Sequence, residues 1–204
     1  MILRRCVALA AILGVSAAWA QGQAAAGPSA PQTVQGFCDA LVSAMKQGPV
    51  LGFTGRRQML EPEIRRAMDL PMMTRLVVGP PWRTLKPDEQ KLLIDAFSDY
   101  SIAVYASRFK AYGGEKFVVA PSTNPLTNGN VIVSTKLVLV EGEPVQLDYL
   151  LRSGPRGWQI IDVFLSGTIS ELAARRSEYS TVFRTGGAEA LVELLRKKTA
   201  ELSG

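Results

Sequence analysis

The stretch Asn130–Leu165, NVIVSTKLVLVEGEPVQLDYLLRSGPRGWQIIDVFL, decides the fold. Its apolar residues recur at every second position, which is the period of a half-buried strand. Asn130 to Val140, Val145 to Arg152 and Trp158 to Leu165 read as strands, with Glu141-Gly142-Glu143 and Ser153–Gly157 as the turns between them. Lys116 to Ala120 reads as a further strand, separated from the next by the turn Thr127–Asn130. Connections this short make antiparallel hairpins, because parallel neighbours need a long crossover. Alternation assigns the faces. Val131, Val133, Thr135, Leu137 and Leu139 share one side, and Lys136 marks the other. Val145, Leu147, Tyr149 and Leu151 likewise oppose Gln146, Asp148 and Arg152.

On both sides of this stretch the apolar period lengthens to that of a helix. Thr33 to Gln47 is expected to be helical and to stop at Gly48-Pro49; Thr54 to Met68 follows as a second helix. Asp69-Leu70-Pro71 opens a short helix over Met72–Val78, closed by Gly79 and Pro80-Pro81, with Trp82 in the next turn. Pro87-Asp88-Glu89 is a helix-start signature. The helix it opens can run to Tyr112, about 26 residues and about 39 Å. Leu93, Phe97, Tyr100 and Val104 form one apolar stripe on it, and Ile94, Ile102, Tyr105, Phe109 and Tyr112 form a second. A helix apolar over most of its circumference is buried on two sides. Thr168 to Arg184 and Ala188 to Leu202 read as helices separated by Gly186-Gly187. The expected class is α+β, with helices packed on one face of a curved, mainly antiparallel four-stranded sheet and an apolar pocket between them.

The first twenty residues read as an export signal: Arg4 and Arg5, the apolar run Cys6–Ser16, then Ala18-Trp19-Ala20 as a small-residue cleavage site. The apolar run is too short to span the ~30 Å bilayer core. Residues 21–32 are expected to be a flexible lead-in, and 33–203 a single domain. The formal charge of +5 falls to +3 once Arg4 and Arg5 are removed. That is too dilute for a nucleic-acid footprint. After cleavage one cysteine remains, Cys38, on the stripe with Val34, Leu41 and Met45, where it reads as a buried core thiol.

Chemistry is sparse. The chain has no histidine, so the commonest general base and the favoured zinc ligand are missing, and no cofactor or metal is expected. Ser107-Arg-Phe-Lys110 matches the S-x-x-K pattern without its companion motifs and reads as a helix face. Asp162, on an otherwise apolar strand, must be paired or hydrogen-bonded if buried; it reads as structural, with a general base as the alternative. The basic groups Arg56-Arg57, Arg65-Arg66, Arg175-Arg176 and Arg196-Lys197-Lys198 read as solvated faces. The functional alternative is transient docking on anionic headgroups or acidic partners, with Arg56, Arg57 and Arg65 the first residues to test.

Four segments in order resemble the MlaC family of periplasmic lipid-binding proteins, also called toluene-tolerance proteins. They are Val77–Trp82 followed by Lys86–Gln90; Phe97–Glu115, with Tyr105-Ala106 and Tyr112-Gly113-Gly114; Trp158–Val163 with Gly167–Ser170; and Gly186-Gly187 with Leu191–Leu195. The resemblance covers roughly residues 31 to 202. Asp162–Leu172 is similar to the branch associated with hopanoid biosynthesis. The resemblance implies a periplasmic, monomeric carrier of a phospholipid or hopanoid, moving between inner- and outer-membrane transport complexes, with no catalysis. The alternatives are a small acid/base enzyme using Asp162 or Tyr105, or a structural adaptor of an envelope complex. The pocket candidates are Met72, Met73, Leu76 and Trp82 around the short helix, and Phe97, Val104, Tyr105 and Phe109 on the long one. Val133, Leu137, Leu147, Tyr149, Ile160 and Phe164 complete them from the sheet.

Overall fold

The computed structural model describes residues 27–203; the expected export signal lies outside them. The first helix, α1 (Ala30–Ala67), begins inside the segment expected to be irregular. A capping box starts it: Gln32 N–H donates to Ser29 Oγ at 3.4 Å, and Ser29 N–H donates to Gln32 Oε1 at 2.8 Å. α1 contains both helices expected in this region, but its break is at Gly52 (φ 60°, ψ −171°), not at Gly48-Pro49. Gly48 serves close approach instead. A Cβ there would overlap the carbonyl of Lys110, which ends the stretch after the long helix.

Arg56 joins the same contact. It is buried rather than solvated, donating from Nε to Ala106 O at 2.8 Å and from Nη1 to Gly48 O at 3.0 Å. The guanidinium thus satisfies a carbonyl in the last turn of its neighbour, where helical carbonyls lack partners. Arg57 and Arg65 are tied to Asp99, at 3.3 and 3.7 Å, and Arg65 also to Glu61 at 2.8 Å. The residues singled out for docking are therefore one buried strut and two ion-paired side chains.

α2 (Leu70–Val78) is capped by Asp69, whose Oδ1 accepts from Met72 N–H at 3.1 Å, and a 3₁₀ turn at Pro80–Thr84 carries Trp82. α3 (Pro87–Arg108) is 22 residues long, one turn shorter than the spacing allows, so Phe109 and Tyr112 lie beyond it. It packs on α1 and on the last helix, α4 (Glu171–Ser203), which accounts for its two apolar stripes. α4 is kinked at Gly187 (φ 67°), within the Gly186-Gly187 pair expected to break it.

The sheet holds the four expected strands and two short additions. They are β1 (Lys116–Val119), β2 (Asn124–Pro125), β3 (Val131–Val138), β4 (Val145–Gly154), β5 (Gly157–Leu165) and β6 (Ile169–Ser170). All pair antiparallel in the order β1-β3-β4-β5-β6, with β2 on the same edge of β3 as β1. The β3–β4 register sets Val131 opposite Leu151, Val133 opposite Tyr149 and Thr135 opposite Leu147, one continuous inner face. Between β4 and β5 a bulge intervenes: Leu150 pairs with Asp162, but Leu151 pairs with Ile160. The extra residue inverts the alternation of β5 around Ile161. A parallel bridge from Met68 to Ile160 and the hydrogen bond from Asp69 N–H to Ile160 O pin the end of α1 to the sheet. Among the described residues, no helix is long and apolar enough to cross a membrane.

Candidate functional site: an apolar cavity between sheet and helices

Helices laid across a curved sheet contact it where their stripes meet it and leave space elsewhere. Here the space is a cavity of about 240 Å³ enclosed by α2, α3, the start of α4 and the inner face of β3–β5. Its floor is buried: Met68, Met73, Phe97, Val104, Leu147 and Tyr149. Half-buried Phe109, Leu137, Val145 and Leu165 surround its mouth, where exposed Arg108 and half-buried Glu171 and Arg175 also stand.

Eight of the fourteen sequence candidates line this cavity: Met73, Phe97, Val104, Tyr105, Phe109, Leu137, Leu147 and Tyr149. Six lie elsewhere. Val133 and Ile160 are fully buried in the adjoining core. Met72 is half-buried on α2. Leu76 and Trp82 border a shallow outer groove with Arg75, Arg83 and Arg176. Phe164 pairs with Asp148 and so faces away from Tyr149, because the bulge hands the inner face to its neighbours Val163 and Leu165. Those two, with Met68, Ser101, Val145 and Leu172, are wall residues the sequence reading left out. Val145 was legible, since it heads the same stripe as Leu147 and Tyr149.

An aromatic row runs along the wall. Phe37 meets Tyr105 edge-on at 5.3 Å and Tyr149 at 6.1 Å, and Tyr105 stacks on Phe109 at 5.8 Å. Such rings pack firmly without filling the space beside them. Desolvation in this environment pushes the phenols of Tyr105 and Tyr149 well above their ordinary range. Both stay protonated at neutral pH.

Cys38 is also buried, 3.9 Å from the Tyr149 hydroxyl, and burial pushes its thiol up to about 12 against the hydrogen bond to Tyr149 that lowers it. Two consequences follow from this burial. At pH 8 a thiol reagent is expected to leave Cys38 unmodified in the folded protein and to titrate it fully in denaturant. The folded state also binds the thiol proton more tightly than the unfolded state, so this stabilisation is complete below about pH 9 and is lost as pH rises toward 12. Urea midpoints should hold level from pH 8 to about 9 and fall from there to pH 11; a flat profile throughout would contradict the burial.

Asp162 is held on every side. Its Oδ1 accepts from Val163 N–H at 2.8 Å and from Leu172 N–H at 3.2 Å, and its Oδ2 accepts from the Ser170 hydroxyl at 2.6 Å. Ser170 Oγ in turn accepts from Ala173 N–H at 2.9 Å. The carboxylate therefore belongs to the start of α4, where it satisfies a helix N–H and complements the dipole. Among the described residues no group of His, Cys, Asp or Glu is placed to hold a metal.

Comparison with known proteins agrees with this architecture. The family model described as MlaC protein matches residues 35–197. The chain belongs to the MlaC family. Its fold is similar to a solved structure, the phospholipid-binding protein from Ralstonia solanacearum in complex with a phospholipid. The TM-score is 0.75 and the identity 24%, covering 87% of this chain and 100% of that one. No curated protein sequence matches the chain. The MlaC match takes in α2, α3, the whole sheet and most of α4, so it contains every element that encloses the cavity.

Proposed function

We propose that this MlaC-family chain is a periplasmic, monomeric lipid carrier, with a phospholipid as its ligand, and that it does no chemistry on that ligand. The observation that carries the reading is the apolar cavity open at one end between sheet and helices. The phospholipid held by the similar Ralstonia protein supports the choice of ligand over a hopanoid. Membership of the MlaC family supports the periplasmic location and the exchange with inner- and outer-membrane transport complexes.

The physics asks for such a protein. A diacyl lipid holds roughly thirty methylenes at about 0.8 kcal/mol each, so crossing water unaided costs on the order of 20 kcal/mol. A wall of comparable apolarity reduces the transfer to a near-neutral exchange. The cavity's 240 Å³ lies below the roughly 300–1,000 Å³ of sites that enclose a small ligand whole. It accepts part of a tail, and admitting two chains requires α3 and α4 to part from the sheet. The kink at Gly187 divides α4 into two rods, which allows the segment beside the mouth to move without unfolding the remainder.

The test is mass spectrometry of organic extracts from protein purified gently from a native host. Near-stoichiometric phospholipid is expected. A clean extract would sink the carrier reading and favour a structural adaptor; a hopanoid would keep the carrier and replace its ligand.

A further inference from the structure

We infer that the mouth of the cavity carries a phosphate-recognition site built on Arg175, with Glu171 as the counter-ion that a lipid headgroup displaces. This rests on the lipid-carrier reading and specifies what that reading leaves open, namely which chemical group of the ligand the protein grips.

The charge inventory of the cavity is short. Four of its wall residues are acidic or basic: Arg108, Asp162, Glu171 and Arg175. Asp162 is engaged on both oxygens by the start of α4. That leaves one carboxylate, Glu171, against two guanidiniums. It stands 3.8 Å from Arg108 Nη1 and 3.7 Å from Arg175 Nη2, and neither pair is within hydrogen-bond distance. The mouth therefore holds guanidinium charge that no carboxylate oxygen engages within hydrogen-bond distance.

That charge is not simply solvated. Arg108 is 60% exposed, but the Arg175 side chain is only 18% exposed. Its guanidinium lies over the Tyr100 ring at 5.2 Å, and its Nη1 is buried with no acceptor. The hydroxyl of Tyr179, one turn further on, is buried beside the same guanidinium, whose N–H groups it can accept from. A buried guanidinium N–H without an acceptor, on the wall of an apolar cavity, costs free energy until an anionic oxygen reaches it. A lipid lying tail-first in the cavity brings its phosphate to this level, where a planar guanidinium can take two oxygens at once. Glu171, held loosely by both arginines, is the group that must give way.

The test offers the full exported chain vesicles containing phosphatidylglycerol, phosphatidylcholine and diacylglycerol with identical acyl chains. The protein is then re-isolated and its lipids are quantified. Both phosphate-bearing lipids are expected to exceed diacylglycerol by about tenfold, the worth of one charge-assisted hydrogen bond. Arg175→Met should bring that ratio close to one, and Arg175→Lys, which keeps charge and stem but loses the fork, should fall between. Glu171→Gln should raise phospholipid uptake, since it removes the competitor. Equal uptake of all three lipids by the unaltered protein, or an undiminished preference in Arg175→Met, overturns the inference while leaving the carrier reading intact. Should Arg175→Met fail to fold, an undiminished preference in Arg175→Lys together with reduced uptake in Glu171→Gln overturns it equally. Uptake of none of the three overturns the carrier reading itself. Titration with glycerol phosphate alone is expected to give no heat; Arg175-dependent binding of that tail-less ester would reassign the site to a free anion.

Discussion

Val104→Trp is expected to cut co-purifying phospholipid by more than about tenfold while leaving the protein as stable as before or slightly more so. Val104 is buried on α3 and lines the cavity floor with Phe97, Leu147 and Tyr149. An indole there projects into the space a tail would use. The sign of the stability change carries as much information as the lipid content. In a well-filled core the added volume would force side chains off their rotamers and cost about 1–3 kcal/mol. In a cavity of about 240 Å³ the same atoms gain contacts and bury apolar surface. Thermal melts beside lipid extraction read both quantities from one preparation. A marked drop in melting temperature with lipid content unchanged would show that the space is not where the ligand goes.

Asp162→Ala should cost about 3 kcal/mol, far more than Asp162→Asn. Removing the carboxylate strands the Val163 and Leu172 amides in buried places and the Ser170 hydroxyl in a half-buried one, and each abandoned buried group costs about 1–3 kcal/mol. It also unfastens the start of α4 from β5, at the edge of the cavity mouth. Asparagine keeps an acceptor for the amides and gives up only the charge. Urea unfolding of the three proteins gives the ranking. The same pair tests the enzymatic alternative, because a general base does not survive replacement by an amide. Asp162→Asn is expected to carry as much lipid as the unaltered chain, and any activity that vanished with that single change would reopen the question of catalysis.

How much of this was legible beforehand differs from element to element. The hairpins of Asn130–Leu165 were plain because alternation and Gly-containing turns agree, and each is a local property of the backbone. The kink in α4 was also plain, since paired glycines interrupt a helical pattern. Gly48-Pro49 offered the same local signal and yielded a different structure. There the glycine admits the Lys110 carbonyl, a contact more than sixty residues away in the chain that no periodicity records. Arg56 looked like half of a surface pair and is a buried strut, for the same reason: its partners, Gly48 O and Ala106 O, meet only when α1 and α3 pack.

The sequence by itself determined that this is an α+β domain with an antiparallel sheet, a helix too apolar to be covered on one side only, and no histidine to serve as general base or zinc ligand. Those conclusions follow from period, turn chemistry and the missing histidine, all of which are carried by neighbouring residues or by composition. Tertiary structure alone decided which apolar side chains face the cavity and which fill the core. The bulge at Ile161 takes Phe164 off the inner face and gives its place to Val163 and Leu165. Packing of α4 brings Glu171 and Arg175 to the mouth beside Arg108. A cavity is space left between elements after they dock, so its shape belongs to the docking and to no single segment of the chain.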